Sequence, residues 1–210
     1  MRTTARLAGI GYLGLAVFGL LGFLVIRPQL HGGDPGLLQA LIALELLIVI
    51  SQAAAAVGFF ALFLNDRPVA GFAVAAFGMA NAVVILGSAG LLTAALLVSG
   101  DESLAAGGDS AATVTLLVKL SSIAWEVGGV FFGLWLIPMG WFALSTRRFP
   151  RVLGILLAVG GVGYVIAAIL ATAVPQAPAI VGDLATLPAT AGELWMVGYL
   201  LSRGIRPAVG

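Results

Sequence analysis

The sequence predicts an all-α protein, a polytopic transmembrane helical bundle with six spans and both termini on the cytoplasmic side. Of its 210 residues, 61% are hydrophobic and only 9% are charged, whereas a soluble domain carries about 25% charged residues. The mean hydropathy is +1.14, so lipid must cover much of the surface. Six apolar stretches are each long enough to cross a bilayer, which takes about 20 helical residues.

The first three apolar stretches are separated by short polar breaks. The first covers residues 5–26. It is too long for the apolar part of a signal peptide and lacks a small-residue cleavage site, so we expect it to remain as the first helix. The second covers residues 36–64, with Asp34 as N-cap and Pro35 in the first turn. A tight turn leads to the third stretch, over residues 69–99.

The last three stretches begin after a polar Gly/Asp loop. The fourth covers residues 111–145, about 50 Å of helix against a hydrocarbon core of about 30 Å. Pro138 is expected to bend or break this helix, because proline removes a backbone donor and clashes with the preceding turn. The fifth covers residues 152–174 and, after a Pro-rich loop, the sixth covers residues 186–202. The chain, 1–210, is predicted to form a single domain.

The distribution of basic residues predicts the orientation, because cytoplasmic loops of membrane proteins are enriched in Lys and Arg. With the N-terminus inside, the outer loops contain a single arginine, Arg27, and Lys119 lies within a helix. This pattern predicts a multi-pass membrane protein with both termini on the cytoplasmic side. The arginines on the predicted cytoplasmic side are Arg2, Arg6, Arg67, Arg147, Arg148, Arg151, Arg203 and Arg206.

Composition also limits the possible functions. The chain has no cysteine, which excludes disulfides, thiolate nucleophiles and cysteine metal sites. The formal net charge of +1 gives no field for attracting nucleic acid. No predicted span contains a histidine that could act as the base for a serine nucleophile, and none carries a residue set suited to a di-metal site. The expected partners are membrane lipids, and a homo-oligomer or a partner in a membrane complex stays open.

Four ionisable residues lie within predicted spans, where an unpaired charge costs at least a few kcal/mol. They are Glu45, Lys119, Glu126 and Glu193. Counted from the predicted outer ends of their helices, Glu45, Lys119 and Glu193 lie about 10–14 Å deep and share one layer. We therefore expect the Lys119 ammonium to reach at least one of the three carboxyl groups, directly or through one water.

Three further polar residues complete the candidate binding network. Ser122 and Glu126 lie on the same helix face as Lys119, and Gln52 stands on the same face as Glu45. Asn81 lies near the middle of the third span. The predicted binding set is Glu45, Gln52, Asn81, Lys119, Ser122, Glu126 and Glu193, with no catalytic residue and no metal ligand.

Three function classes remain open, and the sequence favours the first, with the second as the alternative. The first is a small subunit or scaffold in which a Glu/Lys network only fixes the helices. The second is a transporter or channel for a small cation, proton or amine that uses the intramembrane carboxyl groups. The third is an intramembrane enzyme or cofactor-binding protein, although no cofactor follows from the sequence. A continuous polar cavity beside Glu45 and Glu193 favours the second class, and directly bridged charges in a packed interior favour the first.

Small residues in the fourth stretch suggest close helix packing. Gly129 and Gly133 form a G-x-x-x-G pattern, and Gly140 continues near the same stripe. Such patterns allow two helix backbones to approach each other. We expect this stripe to serve packing inside the bundle.

Two long segments and one short motif resemble a known family. The segments cover residues 130–145 and 149–164, and the motif is Gly192-Glu-Leu-Trp195. They are similar to a bacterial membrane family catalogued only as domain of unknown function 4386, over residues 6–204. The resemblance implies six helices in a cytoplasmic membrane and no assigned activity. Relatives also have Gly-Glu-Leu at the start of the last helix, which implies a role for Glu193, and often carry other polar residues in place of Glu126.

Overall fold

A computed structural model describes residues 2–30, 33–174 and 176–207. It confirms the all-α class, because every long element in this part of the chain is a helix. The long helices are α1 (Arg2–Leu20), α2 (Pro35–Phe63), α3 (Pro68–Gly100), α4 (Ser110–Thr146), α5 (Arg151–Ala173) and α6 (Ala179–Ser202). Helix α1 continues through a π-helical segment, Leu21–Ile26, and a short 3-10 turn, Arg27–Gln29.

Five segments are long and apolar enough to cross a membrane. They are Thr3–Gln29, Pro35–Phe63, Pro68–Gly100, Ser110–Thr146 and Arg151–Ala173. Helix α6 is less apolar because Asp183 and Glu193 lie within it, although its 24 residues span about 36 Å. That α6 also crosses the bilayer stays a prediction.

Two boundaries differ from those predicted. Helix α6 begins at Ala179, directly after Pro178 at the N-cap, so part of the predicted Pro-rich loop is helical. Proline at a helix start costs no hydrogen bond, which explains why the Pro-rich composition was a poor sign of a loop here. Helix α4 is continuous through Pro138, so the helix does not break there, and a bend at Pro138 stays a prediction.

The helices form a closed ring in chain order. Each helix packs against the next one, and α6 packs against α1. The two described chain ends meet at one end of the bundle, where Arg6 and Arg203 border the same small cavity. We call this the arginine-rich end, because the α2–α3 and α4–α5 turns, with Arg67, Arg147 and Arg148, lie there as well. The other end is called the opposite end.

Aromatic side chains fill the core toward the arginine-rich end. Trp135 contacts Tyr12 and Phe59 edge-on, with ring centroids 5.6 Å apart in both pairs. Phe63 and Phe142 stack with their centroids 3.6 Å apart. All five side chains are fully buried, so the bundle is solidly packed in this half.

Glycines allow α4, α5 and α6 to pack closely. A Cβ atom on Gly133 would collide with the backbone oxygen of Gly161, and one on Gly140 would lie 2.6 Å from the Ala158 nitrogen. Both glycines of α4 therefore serve packing against α5, which confirms the expected internal role of this stripe. Gly160 of α5 is in the same way pressed against the backbone of Ala189 in α6.

Candidate functional site

Glu45 is fully buried and forms an ion pair with Arg27. Nη2 of Arg27 lies 2.5 Å from Oε1 of Glu45, and only 11% of the arginine side chain is exposed. The indole N–H of Trp125 donates to the same carboxylate oxygen at 2.9 Å. The guanidinium also lies over the Trp125 ring, 5.5 Å from its centroid. The arginine from the end of α1 thus connects α2 and α4.

Three serine hydroxyls surround this ion pair. Ser88 of α3 donates to Oε1 of Glu45 at 3.1 Å and lies 2.8 Å from the Ser121 hydroxyl. Arg27 donates to Ser121 at 3.1 Å and to Ser122 at 3.0 Å. These contacts satisfy the charges in a buried position, as a buried ion pair requires. The other carboxylate oxygen of Glu45, Oε2, has no hydrogen-bond partner among the described residues.

Lys119 makes no direct contact with the three carboxyl groups, so this part of the prediction is wrong. Lys119 is exposed, and in the described part of the chain no ion pair or hydrogen bond joins it to Glu45, Glu126 or Glu193. It points away from the face of α4 that carries Ser121 and Trp125. The buried network is therefore a Glu/Arg network and not a Glu/Lys network.

The error in depth has a geometric cause. Because α6 begins at Ala179, Glu193 lies about 21 Å from the start of its helix at the opposite end and about 14 Å from its arginine-rich end. Lys119 lies roughly 40 Å from the arginine-rich end of α4, which exceeds a hydrocarbon core of about 30 Å. The two residues do not share a layer, and Lys119 stands close to the opposite end.

Glu193 has a partner that the sequence did not suggest. The Tyr12 hydroxyl of α1 donates to Oε1 of Glu193 at 2.7 Å. Tyr12 is buried, and its ring is held between those of Phe59 and Trp135. A rigidly packed aromatic side chain therefore fixes the position of the carboxyl group.

Glu193 and Tyr12 lie at the floor of a cavity of about 810 Å³. The cavity runs between α1, α3, α4, α5 and α6 to the α5–α6 loop, so its rim is at the opposite end. Its polar and charged lining residues are Tyr12, Arg27, Asn81, Ser122, Trp125, Glu126, Tyr164, Asp183, Thr186, Thr190 and Glu193. We call it the acidic cavity.

Acidic groups outnumber basic ones in the acidic cavity. Glu126, Asp183 and Glu193 line it, and Arg27 is the one basic residue among its described lining residues. The charge of Arg27 is already matched by Glu45. The surplus of carboxyl groups favours a positively charged occupant.

Aromatic rings add to this preference. Trp125 of α4, Phe132 of α4 and Tyr164 of α5 line the acidic cavity, and the last two meet edge-on at a centroid distance of 4.9 Å. The face of an aromatic ring attracts cations through its quadrupole. Carboxyl groups and aromatic rings together are the side chains that bind organic ammonium groups.

Gln52 and Asn81 form a second polar level. Glu45 and Ser88 contact each other across the antiparallel pair α2–α3. Gln52 lies two turns after Glu45 in α2, and Asn81 lies two turns before Ser88 in α3. Because the helices are antiparallel, Gln52 and Asn81 lie at the same height in the bundle. Asn81 lines the acidic cavity. Gln52 is fully buried, and neither of its amide atoms has a hydrogen-bond partner among the described residues. A buried unpaired amide is costly, which makes this level a further candidate for polar contacts.

The structure thus separates the predicted set into three groups. Asn81, Ser122, Glu126 and Glu193 line one cavity. Glu45 lies behind Arg27, and Gln52 is enclosed in the core next to the cavity level. Lys119 lies outside the network.

Sequence reasoning missed the residues that hold these carboxyl groups. Arg27 had one available signal, since it is the single outer arginine in a chain whose other arginines lie at the arginine-rich end. Tyr12, Ser88, Ser121 and Trp125 carried no comparable signal, because such residues are common in membrane helices without any special role.

Comparison with known proteins identifies one family. The family described as "Domain of unknown function (DUF4386)" matches residues 7–204. No curated protein matches the chain, and no solved structure does.

Proposed function

Because the chain belongs to the domain of unknown function 4386 family, which brings no assigned activity, we propose a function from the site itself. The protein binds a small organic cation, such as an amine, in the acidic cavity. The observation that carries the proposal is the Glu193 carboxyl, held by Tyr12 at the floor of an open cavity with surplus acidic groups.

The size of the cavity fits a whole organic molecule. Ligand sites for small molecules usually have volumes of about 300–1,000 Å³, and the acidic cavity has about 810 Å³. A bare metal ion or proton would leave most of this space unused. Apolar and aromatic walls would cover the carbon skeleton of an amine, while Glu193 would bind its charge.

The closed end supports a transporter rather than a channel. Below Tyr12, the buried rings of Phe59, Trp135, Phe63 and Phe142 pack against one another and fill the bundle. A cavity that opens on one side and ends at a mid-membrane charge resembles one state of an alternating-access cycle. With the arginine-rich end in the cytoplasm, as the basic residues predict, this state faces outward.

The Arg27–Glu45 pair has a different role in this proposal. Its charges are directly bridged and surrounded by hydroxyl groups, which supports a structural function for it. It fixes the outer part of α1 against α2 and α4 and so maintains one wall of the acidic cavity.

The test measures binding of tetraphenylphosphonium, a bulky organic cation, to the purified full-length protein in detergent micelles. Binding is measured by calorimetry, and titration into protein-free micelles gives the background. Glu193→Gln is expected to weaken binding at least tenfold, which is about 1.4 kcal/mol, because it removes the charge and retains the size. The neutral analogue triphenylphosphine oxide should bind both proteins equally weakly.

The matched control is Glu102→Gln. It makes the same chemical change on an exposed residue outside the cavity, and tetraphenylphosphonium binding should not change. Equal binding by the native protein and Glu193→Gln, or equal binding of the charged and neutral compounds, would overturn the proposal.

A further inference from the structure

We infer that the ligand of the acidic cavity is a long-chain aliphatic amine that enters sideways from the lipid, through the seam between α1 and α6. This inference rests on the proposed function and specifies the ligand class and its route. It depends on how α1 and α6 separate along their length.

The two helices touch near the arginine-rich end. A Cβ atom on Gly9 would lie 3.0 Å from Cβ of Leu200 and 3.1 Å from Cδ2 of Leu201. Slightly farther along, Tyr12 donates its hydrogen bond to Glu193. Glycine and a hydrogen bond therefore close the seam up to the level of the cavity floor.

Beyond Tyr12 the seam opens. A Cβ atom on Gly19 would have no heavy atom within 4 Å, although the antiparallel register carries Gly19 past Thr186 of α6. Gly19 and Thr186 instead line the same cavity. About two turns of each helix thus border open space, whereas the two helices are in close contact at the level of Gly9.

The open seam lies on the outside of the bundle. Leu20 and Phe23 of α1 are 49% and 57% exposed, and Leu194 of α6 is 55% exposed. All three also line the acidic cavity. Side chains that face both the cavity and the outer surface mark a lateral opening, and their apolar character fits a lipid environment.

The chemistry along this route is graded from apolar to acidic. Leu20, Phe23 and Leu194 offer apolar contact at the opening, and Phe132 continues it inside. The Glu193 carboxyl lies at the inner end, and Glu126 and Asp183 line the outer part. An ammonium group at Glu193 with an alkyl chain lying through the seam would match the acidic inner end and the apolar opening. A compact, fully hydrated cation would match only its inner end.

The experiment uses the full-length protein in phosphatidylcholine nanodiscs and two trimethylammonium probes below their micellar concentrations. Dodecyltrimethylammonium carries a chain, and tetramethylammonium does not. Binding is followed by the change in tryptophan emission, since Trp125 lines the cavity and its surroundings change when the probe enters, and Trp125→Phe verifies the source of the signal. The dodecyl probe is expected to bind at least tenfold more tightly than the tetramethyl probe and to depend on Glu193.

Gly19→Phe tests the route, because the open space at Gly19 can accept a ring that narrows the seam. We expect it to slow association of the dodecyl probe at least tenfold. Gly90→Phe is the matched control: Gly90 of α3 also has nothing within 4 Å and lies away from the cavity, so association should not change. Gly19→Leu provides a smaller second variant if Gly19→Phe folds poorly, as judged by its melting temperature.

Two results would overturn the inference and leave the proposed function intact. One is unchanged association of the dodecyl probe with both folded Gly19 variants. The other is equal affinity for the two probes while tetraphenylphosphonium still binds in a Glu193-dependent manner. Loss of Glu193 dependence for every cation would instead remove the proposed function.

Discussion

Arg27 holds the buried carboxyl of Glu45, with Nη2 and Oε1 2.5 Å apart. The arginine comes from the turn that follows the π-helical end of α1. The glutamate lies about three turns into α2 and faces α3 and α4. A charge pair of this kind is costly to bury, and removing one partner is far worse than removing both. The stability of the outer half of the bundle should therefore depend on the pair as a unit.

The first prediction compares Arg27→Met with the double variant Arg27→Met/Glu45→Gln. The single change strands a buried carboxylate and should lower the free energy of unfolding by about 3–5 kcal/mol. The double variant should be more stable than the single one, because no charge is left unpaired. Thermal unfolding in detergent measures both.

Lys119→Met is the control for that prediction. Lys119 is exposed and has no ion-pair partner among the described residues, so the change should alter stability by only about 0.5 kcal/mol. Simple addition of the losses from Arg27→Met and Glu45→Gln would show that the two side chains do not act together.

The helix pattern could be predicted from the sequence, but the partner of Glu45 could not. Apolar stretches and polar breaks are local features, so five of the spans were located to within a few residues. The partner of Glu45 depends on the direction of a side chain after a π-helical segment, which no local pattern encodes. Arg27 was assigned to a loop on composition alone, and Lys119 was chosen because it was the lysine inside a span.

The predicted depth of Glu193 was wrong for a related reason. The start of α6 was predicted at residue 186, whereas the helix begins at Ala179, and the difference moves Glu193 about 10 Å deeper. Boundaries in proline-containing segments are hard to predict, because proline both ends loops and begins helices. The acidic cavity lay beyond prediction altogether, since it arises from the separation of α1 and α6, which are farthest apart in sequence.

The second prediction concerns orientation and uses the absence of native cysteine. A membrane-impermeant maleimide should label Glu102→Cys in intact cells, because Glu102 is exposed at the opposite end. Ser202→Cys, exposed at the arginine-rich end, should be labelled only after the membrane is permeabilised. The reverse pattern would place the arginine-rich end outside and contradict the orientation that the basic residues predict.

The third prediction tests glycine packing between α5 and α6. A Cβ atom on Gly163 would collide with the backbone oxygen of Ala185, so Gly163→Ala should lower the free energy of unfolding by about 1–3 kcal/mol. Gly90→Ala has open space around it and should be neutral or stabilising by up to about 1 kcal/mol, the gain in helix propensity. Similar melting temperatures for the two variants would show that α5 and α6 are not in such close contact.

The fourth prediction concerns the ion pair between the turns at the arginine-rich end. Arg148 binds Asp66 through two contacts, Nε to Oδ2 at 3.0 Å and Nη2 to Oδ1 at 3.1 Å. Only 5% of the arginine side chain is exposed, so Asp66→Asn should cost about 1–3 kcal/mol by weakening a charged hydrogen bond.

Asp101→Asn is its matched control at the opposite end. Asp101 is exposed, and among the described residues its carboxylate accepts hydrogen bonds only from Ser103 within the same turn, so a change of about 0.5 kcal/mol is expected. Chemical unfolding at two salt concentrations measures both variants. A loss for Asp66→Asn no larger than that for Asp101→Asn would mean that the two turns are not held together by this pair.

The last prediction is that cation binding in the acidic cavity weakens as the pH falls. The ligand charge is permanent in tetraphenylphosphonium, so only protein groups can titrate. Glu193 binds the cation when ionised and loses that attraction when protonated, so affinity should be highest above its pKa and should decline as the pH drops through it. Calorimetric titrations from pH 8 to about pH 4, a range that spans ordinary carboxyl pKa values, should therefore show a clear loss of affinity in the native protein. Glu193→Gln should bind weakly with a much flatter profile. An identical profile in both proteins would assign the titration to another group and would remove Glu193 from direct contact with the cation.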